Sequence, residues 1–265
     1  MSDWRTYDAI PEAYERRWEA RFEEAARRLL VLARADTADR LLDLGTGTGA
    51  LLAALGARRK AMGRVVACDR SLAMLKSAQR YAPMSAVAAE ITRLPFRDGS
   101  FDIVTANCVL SHVREYTRVL DETRRVLAAG GVFASASWGP ASDPYAAAWT
   151  ELLGEAITKG AVAGALDEVG PREAFFSSVE NVGAALREAG FRDVAMDVSE
   201  LPFAGSVPEY LAEREIGAAG RFGRHVLGES AWRLFLKRAE REFRNRFGEN
   251  VSYARPLLLG AGTAP

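Results

Sequence analysis

Histidine and cysteine are scarce in this chain, with two of each in 265 residues. Two cysteines, Cys68 and Cys108, build no disulfide framework, and no cleavable hydrophobic segment opens the chain, so the expected compartment is the cytoplasm. A surplus of charge is missing too. Lys plus Arg and Asp plus Glu number 35 each, which leaves no basic excess to neutralise phosphates and argues against a nucleic-acid partner. No apolar run approaches the length of a membrane span, so no membrane partner is expected either. Internal repeats and low-complexity tracts are absent. What remains is ordinary globular composition, 49% hydrophobic and 26% charged. The length suits one large α/β domain, or a domain with a sizeable insertion.

The chain is organised around Leu41-Leu-Asp-Leu-Gly-Thr-Gly-Thr-Gly49. A short buried strand, about Arg40 to Leu44, runs into glycines at alternate positions, Gly45, Gly47 and Gly49. An Ala/Leu-rich helix from Ala50 to Leu55 follows. Strand, glycine turn and helix let a backbone approach a ligand closely, since no Cβ intervenes and positive φ is allowed. By itself the turn also satisfies the dinucleotide fingerprint through Gly45, Gly47 and Ala50. A second strand, Val65 to Cys68, ends on Asp69, 20 residues beyond Gly49. That separation lets a carboxylate meet the diol of a ribose held on the loop. Alternatively, Asp69 caps the helix from Ser71 to Arg80.

Upstream, residues 8 to about 34 read as an amphipathic helix, with Tyr14, Trp18, Phe22 and Leu29 at three- and four-residue steps. Downstream, Ala86 to Ala89 and Phe101 to Asn107 read as strands. A helix from Tyr116 to Leu127 is expected to stop at Gly130-Gly131, ahead of a fifth strand from Val132 to Ser137. A helical stretch around 145 to 158 comes next. Ser177 and Glu180 form a candidate capping box for a helix ending at Gly190. Val194 to Val198 reads as a strand and Pro208 opens a further helical region. Trp232, Phe235, Ala239 and Phe243 line one face of a charged helix, before a last strand from Val251 to Leu259. Alternation of this kind gives a doubly wound, mostly parallel sheet with its ligand crevice at the strands' carboxyl ends.

The set Asp43-Leu-Gly45-Thr-Gly47-Thr-Gly49, Asp69, Glu90, Leu94-Pro95-Phe96, Asp98-Gly-Ser-Phe101-Asp102 and Arg125-Val-Leu-Ala-Ala-Gly130-Gly131 resembles the class I S-adenosylmethionine-dependent methyltransferases. The likeness is nearest to the ubiquinone and menaquinone type that acts on small molecules. It implies a seven-stranded, Rossmann-like single domain over 1–265. Residues 1–36 would be an N-terminal helical cover, 40–138 the cofactor core, and 141–175 with 204–247 substrate-side lid segments. Asp43, Gly45, Thr46, Gly47 and Gly49 would hold the methionine half of S-adenosylmethionine, which leaves as S-adenosylhomocysteine. Asp69 would accept the ribose hydroxyls, and Arg70 and Met74 would line the adenine. Glu90, where the family usually carries Asp, would accept from the adenine amine, and Ile91 would pack on the ring. Asn107 would lie beneath the methionine moiety, while Tyr14 and Trp18 would fold over the cofactor. A hydride-transfer enzyme has no need of the Glu90-to-Phe96 loop, and no second nucleotide-binding half is seen.

Methyl transfer from a sulfonium needs alignment and desolvation of the nucleophile, with no metal and no covalent intermediate. For a hydroxyl acceptor a general base helps, and His112, just after the fourth strand, is the candidate. His225 falls in the late insertion, facing either substrate or solvent. Ser111, Trp138 and Tyr145 are candidate substrate contacts. Asn107-Cys-Val-Leu110 lacks the Asn/Asp-Pro-Pro-Tyr signature of nucleic-acid and glutamine N-methyltransferases. The acceptor is therefore expected to be a small organic molecule, O-methylated first of all and natural-product-like in scaffold. The alternative is a methyltransferase-like protein that keeps the cofactor structurally and catalyses or binds something else. Oligomeric state is not specified by these residues.

Overall fold

The computed structural model describes residues 3–8, 10–81, 84–140 and 143–265. Helix α1, Pro11–Leu32, is shorter than the periodicity implied. Proline at its first turn fixes one end, and Arg34, in the left-handed region at φ 52°, turns the chain away at the other. Strand β1 (Arg40–Leu44) is followed by α2 (Ala50–Leu55), β2 (Arg64–Asp69), α3 (Leu72–Ala78) and β3 (Ser85–Ala88). Then come β4 (Phe101–Asn107), α4 (Tyr116–Val126) and β5 (Leu127–Trp138). Leu41 to Leu44 are all buried because β1 sits inside a parallel sheet covered on both faces.

Gly130 and Gly131 do not cap α4. Leu127 is already extended and pairs with Phe101, while Ile103 pairs with Val132, so residues 128 to 131 form a bulge within β5. A Cβ on Gly131 would lie 2.9 Å from the carbonyl oxygens of Ala128 and Asp102, which requires glycine at that position.

Four helices follow: α5 (Pro144–Ala156), α6 (Lys159–Val169), α7 (Glu173–Phe176) and α8 (Val179–Glu188). The cap of α8 is Ser178, whose hydroxyl accepts from the Asn181 N–H at 3.2 Å, and not Ser177. Glu180 therefore falls at the second helical position, one short of what a capping box requires. Strands β6 (Arg192–Ser206) and β7 (Asn250–Thr263) extend well past their predicted limits, because they pair with each other over almost their whole length. Between them lie α9 (Val207–Ile216) and α10 (Ala218–Phe247), the latter broken at Gly228. A full capping box does occur at α9, between Ser206 and Glu209. The predicted insertion at 204 thus begins while β6 is still running.

The sheet has seven strands in the order β3-β2-β1-β4-β5-β7-β6, with β7 antiparallel to both neighbours. One face packs Leu29, Leu51, Leu52 and Leu75 from α1, α2 and α3. The other packs Val119, Leu120 and Leu186 from α4 and α8. A third apolar cluster joins α5, α6, α9 and α10 around Trp149, Trp232, Phe235 and Phe243, so the Trp232 to Phe243 stripe is internal packing. Among the described residues no helix is long and apolar enough to cross a membrane.

Candidate active site

Parallel register brings the motif carboxylates to one edge. Asp43 is level with Ala67 on β2, and Asp69 with Ala88 on β3, while Leu44 meets Ala106, one residue before Asn107. Asp43, Asp69, Asn107 and Glu90 (two residues past β3) therefore stand at the carboxyl ends of neighbouring strands. The three carboxylates among them act together on the buried Cys68. Burial first, then Asp69, Asp43 and Glu90, push its thiol up to about 12.

The glycine loop is bound to this edge by its backbone. The Thr46 N–H donates to the Cys68 carbonyl at 3.0 Å. The Gly47 N–H donates to Asp69 Oδ2 at 2.9 Å, and the Ser71 N–H to Oδ1 at 2.8 Å. Burial raises the Asp69 carboxyl, and these N–H groups pull it back. Asp43 is 1% exposed and is pushed up to about 7, chiefly by burial. The Thr105 hydroxyl eases that by donating to Asp43 Oδ1 at 3.0 Å. The Thr46 hydroxyl lies near enough to help electrostatically but outside hydrogen-bond geometry.

Helix α1 lies over the loop. Tyr14 and Phe22 are stacked at 5.6 Å, with Trp18 against both. Asn107 Nδ2 donates to the Phe22 carbonyl at 3.0 Å. Ion pairs from Arg80 to Glu15 and Glu19, and the Tyr81 hydroxyl donating to Glu19, tie α1 to the end of α3. Beneath this cover remains a cleft of about 30 Å³ lined by Tyr14, Phe22, Asp43, the loop and Asn107. Three buried polar atoms at or beside it lack a partner among the described residues: Asn107 Oδ1, Thr46 Oγ1 and Trp18 Nε1.

The structure gathers Tyr14, Asp43, Gly45, Thr46, Gly47 and Asn107 around that cleft. Asp69 joins through Gly47, and Gly49 opens α2. Ser71 is the N-cap of α3, accepting from the Met74 N–H, so capping does not fall to Asp69. Arg70 and Glu90 are exposed, and Met74 is buried. Ile91 packs with Leu94 and Phe101. His112 is exposed on a short turn, Leu110–His112, with Nδ1 2.9 Å from the Val169 carbonyl at the end of α6. Ser111 is buried and its carbonyl accepts from the Arg172 N–H. Trp138 sits between Phe22 and Phe203 with the Arg255 guanidinium over its ring.

Tyr145 is placed elsewhere. Its ring packs among Tyr210, Phe247 and Tyr253, and its hydroxyl faces the Ser252 backbone, because α5 is anchored in the third apolar cluster. Glu19, Phe22, Thr48 and Leu51 also line the cleft without having been singled out. Phe22 was detectable as the next step of the Tyr14–Trp18 stripe. Thr105, which supports Asp43 from the adjacent strand, carries no local signal.

Residues 42–135 match the family described as a methyltransferase domain. The malonyl-[acyl-carrier protein] O-methyltransferase of Geobacter sulfurreducens is 30% identical over 234 residues, covering 84% of this chain and 83% of the relative. The demethylmenaquinone methyltransferase of Renibacterium salmoninarum is 36% identical over 155 residues, which is 57% of this chain and 61% of that protein. The crystal structure of the YcgJ protein of Bacillus subtilis aligns with a TM-score of 0.58 over 91% of this chain and 97% of that one. At 19% identity that likeness is of fold alone.

Proposed function

Since the chain belongs to the class I S-adenosylmethionine-dependent methyltransferases, we propose that it O-methylates a small organic acceptor, with a natural-product-like scaffold as the first candidate. The observation that supports this reading is the carboxyl-edge row of Asp43, Asp69 and Asn107 under the glycine loop, with Asn107 Oδ1 and Thr46 Oγ1 unpartnered among the described residues. The donor set fits the cofactor. Asp43 would face its cationic methionine end, the loop N–H groups its carboxylate, and Asp69 its ribose diol. Each Asp69 oxygen accepts one backbone N–H, and a carboxylate oxygen has capacity for a second donor. Glu90, Ile91, Arg70 and Met74 would attend the adenine side. Ligand pockets usually run to about 300 Å³ or more, so admission of the cofactor would need the Tyr14–Phe22 cover to lift from a cleft of about 30 Å³.

When bound, S-adenosylmethionine supplies an electrophilic methyl group on a sulfonium. The chain's part is to orient the acceptor and move its proton. A carbonyl only accepts, so His112 Nδ1 carries the hydrogen facing Val169, and Nε2 is left as the proton acceptor. Trp138 and Ser111 would flank the acceptor. The O-methyltransferase name of the Geobacter relative supports oxygen as the accepting atom. The two free thiols suit a cytoplasmic setting.

Calorimetric titration with S-adenosylmethionine, S-adenosylhomocysteine and NAD(H) tests the cofactor reading. Micromolar binding of the two sulfur compounds, weakened about 100-fold in Asp69→Ala, is expected. Absence of binding by either would sink it. Release of S-adenosylhomocysteine in the presence of an acceptor separates methyl transfer from a purely structural use of the cofactor. For the base, His112→Ala should lower turnover about tenfold or more with little change in cofactor affinity. Turnover close to that of the unaltered protein would leave proximity alone to explain the rate.

A further inference from the structure

The inner flank of α1 covers the glycine loop, and its outer flank walls a second, larger cleft. This space, about 640 Å³, lies between α1 and the α9–α10 turn. That volume is within the range of pockets that bury drug-sized ligands. Four arginines line it: Arg16 and Arg17 from α1, Arg221 and Arg224 from α10. Glu215 is the single acid among the lining residues. Ile10, Ala13, Ala212 and Ile216 supply apolar wall.

Arg221 distinguishes this cleft from a solvated basic patch. It is only 9% exposed. Its Nε donates to the Trp4 carbonyl at 2.8 Å, its Nη1 donates to the Ile216 carbonyl at 3.1 Å, and the Tyr7 ring lies 4.5 Å from the guanidinium carbon. The group is thus locked in place with Nη2 left buried and without a hydrogen-bond partner among the described residues. Leaving a buried cationic donor unsatisfied is costly unless an acceptor arrives. Arg224 is answered by Glu229 and Glu215. Arg16 and Arg17 are exposed on the opposite wall.

We propose that this cleft is a binding site for an organic phosphate monoester, its phosphoryl group held by Arg221 with Arg16 and Arg17, and its apolar body against Ile10, Ala13 and Ile216. A phosphate monoester carries close to two negative charges at neutral pH and three acceptor oxygens, which matches Arg221 and Arg16, with Arg17 shared with Glu209 and Glu213 and Arg224 already answered by Glu215 and Glu229. A carboxylate would leave more of that charge unanswered. An acidic protein surface would reach the exposed Arg16 and Arg17 but not the buried guanidinium of Arg221. The two clefts share no lining residue, and they are linked through Tyr7, which lies under Arg221 and whose ring meets Tyr14 at 5.7 Å and His112 at 6.3 Å.

The test is calorimetric titration of the full chain with phenyl phosphate, inorganic phosphate and polyglutamate. Phenyl phosphate is expected to bind, to weaken about tenfold in the double variant Arg16→Gln/Arg17→Gln, and to bind unchanged in Asp69→Ala. Arg221→Lys, which keeps the charge but loses the fork, should also weaken it about tenfold. Should that variant fail to fold, the double variant at two exposed positions still decides. No binding, or equal affinity in the double variant, overturns the proposal. Loss of binding in Asp69→Ala overturns it by placing the probe on the glycine loop. Inorganic phosphate binding as tightly as phenyl phosphate overturns it in favour of the free ion, and binding of polyglutamate alone overturns it in favour of an acidic protein. Failure of S-adenosylmethionine to bind would leave this site untouched and count only against the methyl-transfer reading.

Discussion

Replacing Asp43 by Asn should make the protein without cofactor more stable at pH 7 while weakening its binding of S-adenosylmethionine by roughly 30-fold, about 2 kcal/mol. Both effects come from one buried carboxyl. In the unfolded chain Asp43 titrates near its ordinary 3.8, and in the fold it is pushed up to about 7 by burial, eased by threonine hydroxyls and raised again by the charge of Asp69. Between those values the folded protein holds a proton that the unfolded chain has released. The slope of unfolding free energy with pH is then negative, so stability falls as pH rises from about 4 to about 7, by at most about 1.4 kcal/mol per pH unit. Asn removes that slope. A cationic ligand reverses the preference by favouring the ionised carboxylate, so affinity for the cofactor should climb as pH rises towards and past 7. Thermal unfolding from pH 4.5 to 8, with calorimetry at the acid and alkaline ends, checks both halves. Parallel stability profiles in the two proteins would remove Asp43 as the responsible group.

Gly45→Ala and Gly47→Ala should fail in different ways. Both residues have positive φ, 61° and 55°, so alanine costs about 1 kcal/mol at either. At Gly45 the new Cβ would also lie 2.6 and 2.8 Å from the two methyl carbons of Val109, inside the contact distance of a packed turn. At Gly47 the nearest neighbour would be the Gly45 carbonyl oxygen at 4.0 Å, so the methyl group enters the space over the loop. Gly45→Ala is therefore expected to lower Tm by about 8 °C or more, through overpacking of about 2 kcal/mol beyond the backbone cost. Gly47→Ala should lower Tm by only about 3 °C yet weaken cofactor binding about 100-fold. Differential scanning calorimetry and titration on the same samples separate the two. Cofactor affinity in Gly47→Ala equal to that of the unaltered loop would mean that the ligand does not approach there.

The site was legible where its chemistry is encoded within a few residues of sequence. Strand β1, the alternate glycines and the carboxylate ending β2 are a local pattern, since a short apolar run, a turn and a helix start each obey near-neighbour rules. The same local reading misassigned Gly130 and Gly131, because a helix cap and a strand bulge draw on the same residue, and pairing of Leu127 with Phe101 decided between them. It also stopped β6 and β7 short. Their outer halves gain regularity from each other, and sequence alternation over 199–206 is too weak to show that.

By itself the sequence determined the family, the doubly wound, mostly parallel sheet, and Tyr14, Asp43, Gly45, Thr46, Gly47 and Asn107 as residues around the glycine loop. Only the tertiary structure decided that Asp43 is sealed against Thr105, that Asn107 is tethered to α1, that Tyr145 belongs to the helical cluster, and that Arg221 is buried between α1 and α10 with a donor unpartnered among the described residues. Those outcomes depend on contacts between residues 62 to 217 positions apart. The burial that sets their energetics is a property of the packed chain, and no local pattern carries it.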